Sequence, residues 1–166
     1  EREAFELGAQ PGSQGHDLLQ GIFASAFDDL AGVYLKFEQL ARELKTPSFE
    51  HACKVMERTY NILKGAKGRI EEHIEPSLFQ DDLERRLFDL VNRNVTAMQQ
   101  LIHQERYGAA TKLYGETFYE PIHHFFDRVL VNTEDPKVRA NRQALMKRIN
   151  RLHAEGVADL ALVTNR

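Results

Sequence analysis

Two groups of cations carry the chemistry that this sequence can offer. His51, Lys54, Arg58 and Asn61 recur at steps of three, four and three residues. At about 100° per helical residue, that spacing puts all four on one face. Lys147, Arg148 and Arg151 form a second group on the side opposite an apolar stripe of Val138, Leu145, Met146, Ile149 and Leu152. A row of cations at helical spacing can follow a phosphate backbone, and an amide such as Asn61 can read a base edge. An ordinary solvated helix face explains both patterns equally, and periodicity alone favours it. Arg142 is a different case, because it falls inside the apolar arc. A guanidinium facing a core is tolerable only when carboxylates or carbonyls satisfy it. Its expected role is structural, with Asp127 or Asp159 as the partner.

Other residues that could do chemistry carry less. His123 and Asp127 stand at i and i+4, but two ligands do not make a metal site. His16-Asp17 has the look of the His-Asp pair of metal-dependent phosphohydrolases, without a second histidine anchored before it. No HExxH, GxxxxGK[ST] or GxGxxG occurs. Cys53 lies mid-stripe in a helix pattern of Phe49, Cys53, Met56, Tyr60 and Leu63, a core position more than a nucleophile. The pairs Glu71-Glu72 and Asp81-Asp82 read as caps and solvated faces. The expectation is no catalytic residue, no metal site and no cofactor within this chain.

The elements that must position these residues are helices. Three-to-four periodicity runs through most of the chain, and alternating strand patterns are absent. It predicts helices over 17–27, 29–44, 47–64, 80–104, 105–116, 119–131, 136–154 and 156–163. Thr46-Pro47 and Asp135-Pro136 each give an N-cap followed by proline at the first helical position. Gly65 and Gly68 stop the third helix, and Pro76 makes its surroundings a connector. Residues 1–16, with the Gly-, Gln-, Pro- and Ser-rich run "GAQPGSQGH", read as a linker or the end of a preceding domain, and 17–166 as one helical domain. The class is all-α, an irregular antiparallel helical bundle.

Composition sets the outer bounds. The 166 residues include 42% hydrophobic and 28% charged side chains, the balance of a soluble globular protein. No apolar run approaches the ~20 residues that span a bilayer, so no membrane partner is expected. The start at Glu1 suggests excision from a longer chain, and a single cysteine suits a reducing, cytoplasmic setting. The net charge of -3 argues against indiscriminate nucleic-acid binding, DNA included. Its distribution matters more than its sum: Pro136–Arg166 holds seven cations against two anions, and His51–Ile70 five against one. Local basic faces on a mildly acidic body suit RNA held at a defined place.

The stretch "FFDRVLVNTEDPKVRANRQALM" resembles the C-terminal segment of the beta subunit of bacterial-type, two-subunit glycyl-tRNA synthetase. The likeness is carried by Phe125, Phe126, Asp127, Val129, Val131, Asp135, Arg139, Asn141, Arg142, Leu145 and Met146. Ala158-Asp159-Leu160 is similar to the family's closing Ala-Asp-Ile-Ser, with Ala161 where serine is usual. "ERTYNILKG" matches an upstream segment at Arg58, Asn61 and Ile62, with Glu57 for lysine and Thr59 for valine. "PSLFQDDLERRLFD" is similar to the short Leu-Phe…Glu-x-x-Leu element. These motifs are colinear from about residue 45 to 163.

The resemblance implies the DALR-type anticodon-binding domain, named for an Asp-Ala-Leu-Arg signature of which Asp159-Leu160-Ala161-Leu162 is a loose version. It implies tRNA(Gly) and the synthetase alpha subunit as partners, in an alpha2beta2 assembly or an alpha–beta fusion. ATP and magnesium would then serve the alpha subunit of the whole enzyme. The candidates for RNA contact are Lys54, Arg58, Lys147, Arg148 and Arg151 on phosphates and Asn61 on a base, while Tyr107 and Tyr114 either stack on bases or pack in the core. The competing expectation is a helical interaction module that docks the catalytic subunit or braces the assembly without touching RNA.

Overall fold

The structure, a computed structural model, describes residues 13–25 and 30–163. Among the described residues there are six α-helices and no strand: α1 (Gln14–Ser25), α2 (Leu30–Glu43), α3 (Pro47–Lys64), α4 (Asp82–His103), α5 (Tyr107–Arg128) and α6 (Pro136–Ala154). Two 3-10 turns, Pro76–Leu78 and Leu160–Leu162, complete the set. The fold is the all-α bundle that the periodicity indicates. Residues 1–12 of the expected linker lie outside the described residues. Gln14, Gly15 and His16 begin α1, so that helix starts earlier than the glycine-rich composition suggests.

Local chemistry sets the helix starts. Thr46 accepts from the Phe49 N–H at 3.3 Å, with Pro47 at the first helical position. Asp135 accepts from the Lys137 and Val138 N–H groups at 2.9 and 3.2 Å, again ahead of a proline. Asp81 and Glu84 form a reciprocal capping box on α4, which satisfies donors that a helix start otherwise leaves orphaned.

Two expected helix assignments and one expected stripe differ from the structure. The predicted helices 105–116 and 119–131 are one helix, α5, which runs through Pro121. Proline deletes one backbone hydrogen bond, but Pro121 is buried, and α5 packs along both α3 and α4. Tertiary packing therefore outweighs the local break. The predicted helix 156–163 is reduced to the short turn Leu160–Leu162, because α6 ends at Ala154 and Asp159 caps a fresh start. The inner stripe of α3 is Phe49, Ala52, Cys53, Val55, Met56 and Thr59, whereas Tyr60 is 36% exposed. Thr59 takes the buried place by donating to the Val55 and Met56 carbonyls and accepting from Asn150.

The α3–α5 pair is the spine. Ser48 and Ala52 of α3 meet Gly115, while Arg58 meets His123 and Phe126, so these helices run parallel. A Cβ at Gly115 would sit 2.2 Å from the Ser48 carbonyl oxygen. Only glycine permits that approach. The antiparallel α4–α5 pair is tied at its open end by Arg128 to Asp81 at 3.0 Å. The segment after α6 folds back on α1, where the Asp159 N–H donates to the Gly21 carbonyl at 2.9 Å. Buried side chains from all six helices form one continuous core.

Candidate nucleic-acid interface

The outer face of α3 and the adjoining face of α5 bring cations and aromatic rings together. Because the two helices are parallel, residues at similar steps along each become neighbours. The His51 ring stacks on Tyr119 with centroids 3.8 Å apart and planes 9° apart. Tyr119 in turn lies 4.5 Å from the His123 ring. The Arg58 guanidinium sits 3.5 Å from His123 Nε2 and 5.8 Å from the centre of the Phe126 ring. Lys54 pairs with Glu57 at 3.4 Å, and its side chain is 44% exposed. Asn61 is exposed at the far end of the row.

Such a row can do two things at once. Its cations can neutralise successive phosphates, and its ring faces can stack on unpaired bases. Sequence reasoning placed His51, Lys54, Arg58 and Asn61 on this face but missed Tyr119, His123 and Phe126. Their steps of four and three residues along α5 were the available signal. It was obscured by assigning a helix break just before them.

The second group stands differently. Lys147 and Arg151 both donate to Glu72 Oε1, at 3.0 and 2.8 Å, and Lys147 also reaches the Ile70 carbonyl at 3.3 Å. Arg151 is paired with Glu155 as well. Arg148 donates to Asn92 at 3.0 Å and lies over the Phe88 ring at 5.8 Å. The Lys147 hydrogen bond, followed by the Arg151 charge, holds the Glu72 carboxyl below its ordinary range. These cations line the apolar hollow between α4 and α6, already engaged by the chain itself.

Arg142 points inward, and the partner is neither of the two expected. Its side chain is 8% exposed, and Nε and Nη2 donate to the two oxygens of Glu84 at 2.9 and 3.1 Å. Nη1 donates to the Leu130 carbonyl at 3.0 Å. Asp127 is exposed, and Asp159 accepts from the Ala161 N–H instead. Glu84 won because the capping box fixes it: its Oε2 also accepts from the Gln80 and Asp81 N–H groups at 2.9 Å each. Tyr107 and Tyr114 are 7% and 0% exposed, so they pack in the core and offer no ring to a base.

Among the described residues, no group of three or more His, Cys, Asp or Glu side chains could hold a metal ion. None of their helices is long and apolar enough to cross a membrane. His16 Nε2 lies 3.1 Å from Gln20 and is spent within its own helix. Burial pushes the Cys53 thiol up to about 12, which suppresses the thiolate that a nucleophile requires.

Residues 54–162 match the DALR anticodon binding domain family. The chain belongs to that family. The matched span includes Lys54, Arg58 and Asn61, the second cation group, the α5 rings and the turn Asp159–Leu162, while His51, α1 and α2 lie before it. The chain is also 34% identical over 142 residues to the glycine–tRNA ligase beta subunit of Pseudomonas putida, covering 80% of this chain and 20% of that protein. The same-named subunit of Pseudomonas syringae pv. tomato is 36% identical over 125 residues, covering 72% and 17%. That of Trichlorobacter lovleyi is 32% identical over 144 residues, covering 86% and 20%. This DALR-family chain thus spans about a fifth of the length of the curated relatives it matches.

Proposed function

We propose that this chain is the tRNA-capturing domain of a cytoplasmic glycine–tRNA ligase, holding the anticodon arm of tRNA(Gly). It acts as part of a beta subunit, so that the distant acceptor end meets the catalytic site of the alpha subunit. ATP and magnesium belong to that alpha subunit, and this domain adds binding and orientation only. The observation that carries the reading is the α3–α5 face, where Lys54 and Arg58 adjoin the stacked rings of His51 and Tyr119 and the tilted ring of His123. Anticodon loops present splayed bases and closely spaced phosphates, which suit a surface of this kind.

The test is Lys54→Glu combined with Arg58→Glu in the complete ligase. Both side chains lie outside the α3 core stripe, so the substitutions change charge while sparing the buried stripe, at the loss of the Arg58 contacts with His123 and Phe126. Weaker tRNA(Gly) binding is expected, with the log–log salt dependence flattened by roughly two units for two lost phosphate contacts. Unchanged affinity and slope would assign this face to solvent or to a protein partner, the behaviour of a docking module.

A further inference from the structure

A cavity of about 590 Å³ opens between α4 and α6. Val95, Met98 and Ile102 of α4 and Leu152 of α6 give it apolar walls, and Lys147, Arg148 and Arg151 line it beside the carboxylates of Glu72 and Glu155. Its size falls within the ~300–1,000 Å³ of pockets that enclose small ligands. The Glu72 carboxylate spans Lys147 and Arg151 through one oxygen. Glu72 belongs to an irregular segment that is fixed just downstream: Ile74 is buried, and the Glu75 backbone exchanges two hydrogen bonds with Asn141, at 2.7 and 3.1 Å. Upstream, Lys67, Gly68 and Arg69 are exposed, and Gly68 has a φ of 86°. Glu72 can therefore turn away without disturbing the core.

We propose that this cavity seats one unstacked nucleotide of the bound RNA, whose phosphate takes over Lys147 and Arg151 from the Glu72 carboxylate. The apolar walls match the faces of a planar base, and the cations match a phosphodiester. Glu72 is 60% exposed, and ion pairs exposed to that degree are weak, so the exchange is cheap. Glu72 also keeps two flexible cations gathered before RNA arrives, which lowers the ordering cost of binding. It is a placeholder that the ligand displaces. The inference rests on the tRNA-binding reading above, and it adds a second contact region that shares no residue with the α3–α5 row.

Two substitutions in the complete ligase test it, with tRNA(Gly) as the probe. Glu72→Gln releases Lys147 and Arg151 from the carboxylate they share, while Arg151 keeps Glu155 and Lys147 keeps the Ile70 carbonyl, and tRNA affinity should rise by about two- to fivefold, the worth of one exposed ion pair. Val95→Trp fills the cavity and should lower affinity by at least about fivefold, the worth of one stacked base. Val95 is half-buried, so an unchanged melting temperature must accompany that result; Gln99→Trp, at an exposed wall position, serves if Val95→Trp fails to fold. Glu72→Gln that leaves affinity unchanged or lowers it overturns the proposal. So does a filled cavity that binds tRNA normally, and one that loosens only the alpha subunit would assign the hollow to a protein partner. If Lys54→Glu with Arg58→Glu weakens binding while Glu72→Gln and Val95→Trp do nothing, the tRNA-binding reading stands and this inference alone falls.

Discussion

At Arg142 a permanent charge is held in the interior because Glu84 is already pinned there by the cap of another helix. Glu84 is 0% exposed and accepts from two backbone N–H groups besides the guanidinium. Removing either partner strands the other, at a cost of about 3–5 kcal/mol. Arg142→Ala should therefore lower the melting temperature clearly, and Arg142→Lys should recover little, because one ammonium cannot reproduce the fork. Unchanged unfolding of Arg142→Ala would show that the pair carries no stability. His153 is the second buried group with a measurable consequence. A carbonyl only accepts, so Nδ1 donates to Ala158 at 2.8 Å and Nε2 takes the Thr111 hydroxyl at 2.8 Å. Burial lowers its pKa from 6.5 to about 4. The unfolded chain then binds the proton more readily, so this contribution is intact above pH 6.5 and is lost as pH falls toward 4, by about 3 kcal/mol in all. Denaturant unfolding at pH 7 and pH 5 should show the loss, and His153→Gln should reduce the difference between the two.

Helix starts were legible because their chemistry is local. Thr46-Pro47 and Asp135-Pro136 mark α3 and α6 at the residues where the structure begins them. What failed was non-local. The gap expected at 117–118, between the helices 105–116 and 119–131, closes because α3 and α4 hold α5 on both sides. Asp127 looks a natural partner for Arg142 until the capping box brings Glu84 from 58 residues away. The parallel packing of α3 on α5 was likewise invisible, since it depends on Gly115 admitting the Ser48 carbonyl. Gly115→Ala puts a methyl 2.2 Å from that oxygen and 2.9 Å from the Ala52 nitrogen. The helices must part, at a cost of about 1–3 kcal/mol. Because the shift also separates His51 from Tyr119, tRNA affinity should fall with stability. A variant as stable as the parent protein would mean that the spine yields more easily than its geometry implies.

Across the whole molecule, the all-α class and the family were legible, since colinear motifs run over most of the chain and agree with the matched span of residues 54–162. The candidate site was legible in part. Helical spacing placed Lys54, Arg58 and Asn61 outward, but it could not show that Lys147 and Arg151 meet Glu72, because the segment carrying Glu72 has no periodicity to read. The molecule therefore presents two kinds of basic surface: an open, aromatic-lined face on α3 and α5, and a self-neutralised one beside the α4–α6 cavity. The central claim is that the open face holds the anticodon arm. Photocrosslinking from a reactive side chain at position 61, in the complete ligase with tRNA(Gly), tests it most directly. The expected result is a crosslink within the anticodon arm that excess unlabelled tRNA(Gly) abolishes; a crosslink to the alpha subunit alone, or none to RNA while tRNA remains bound, would contradict it.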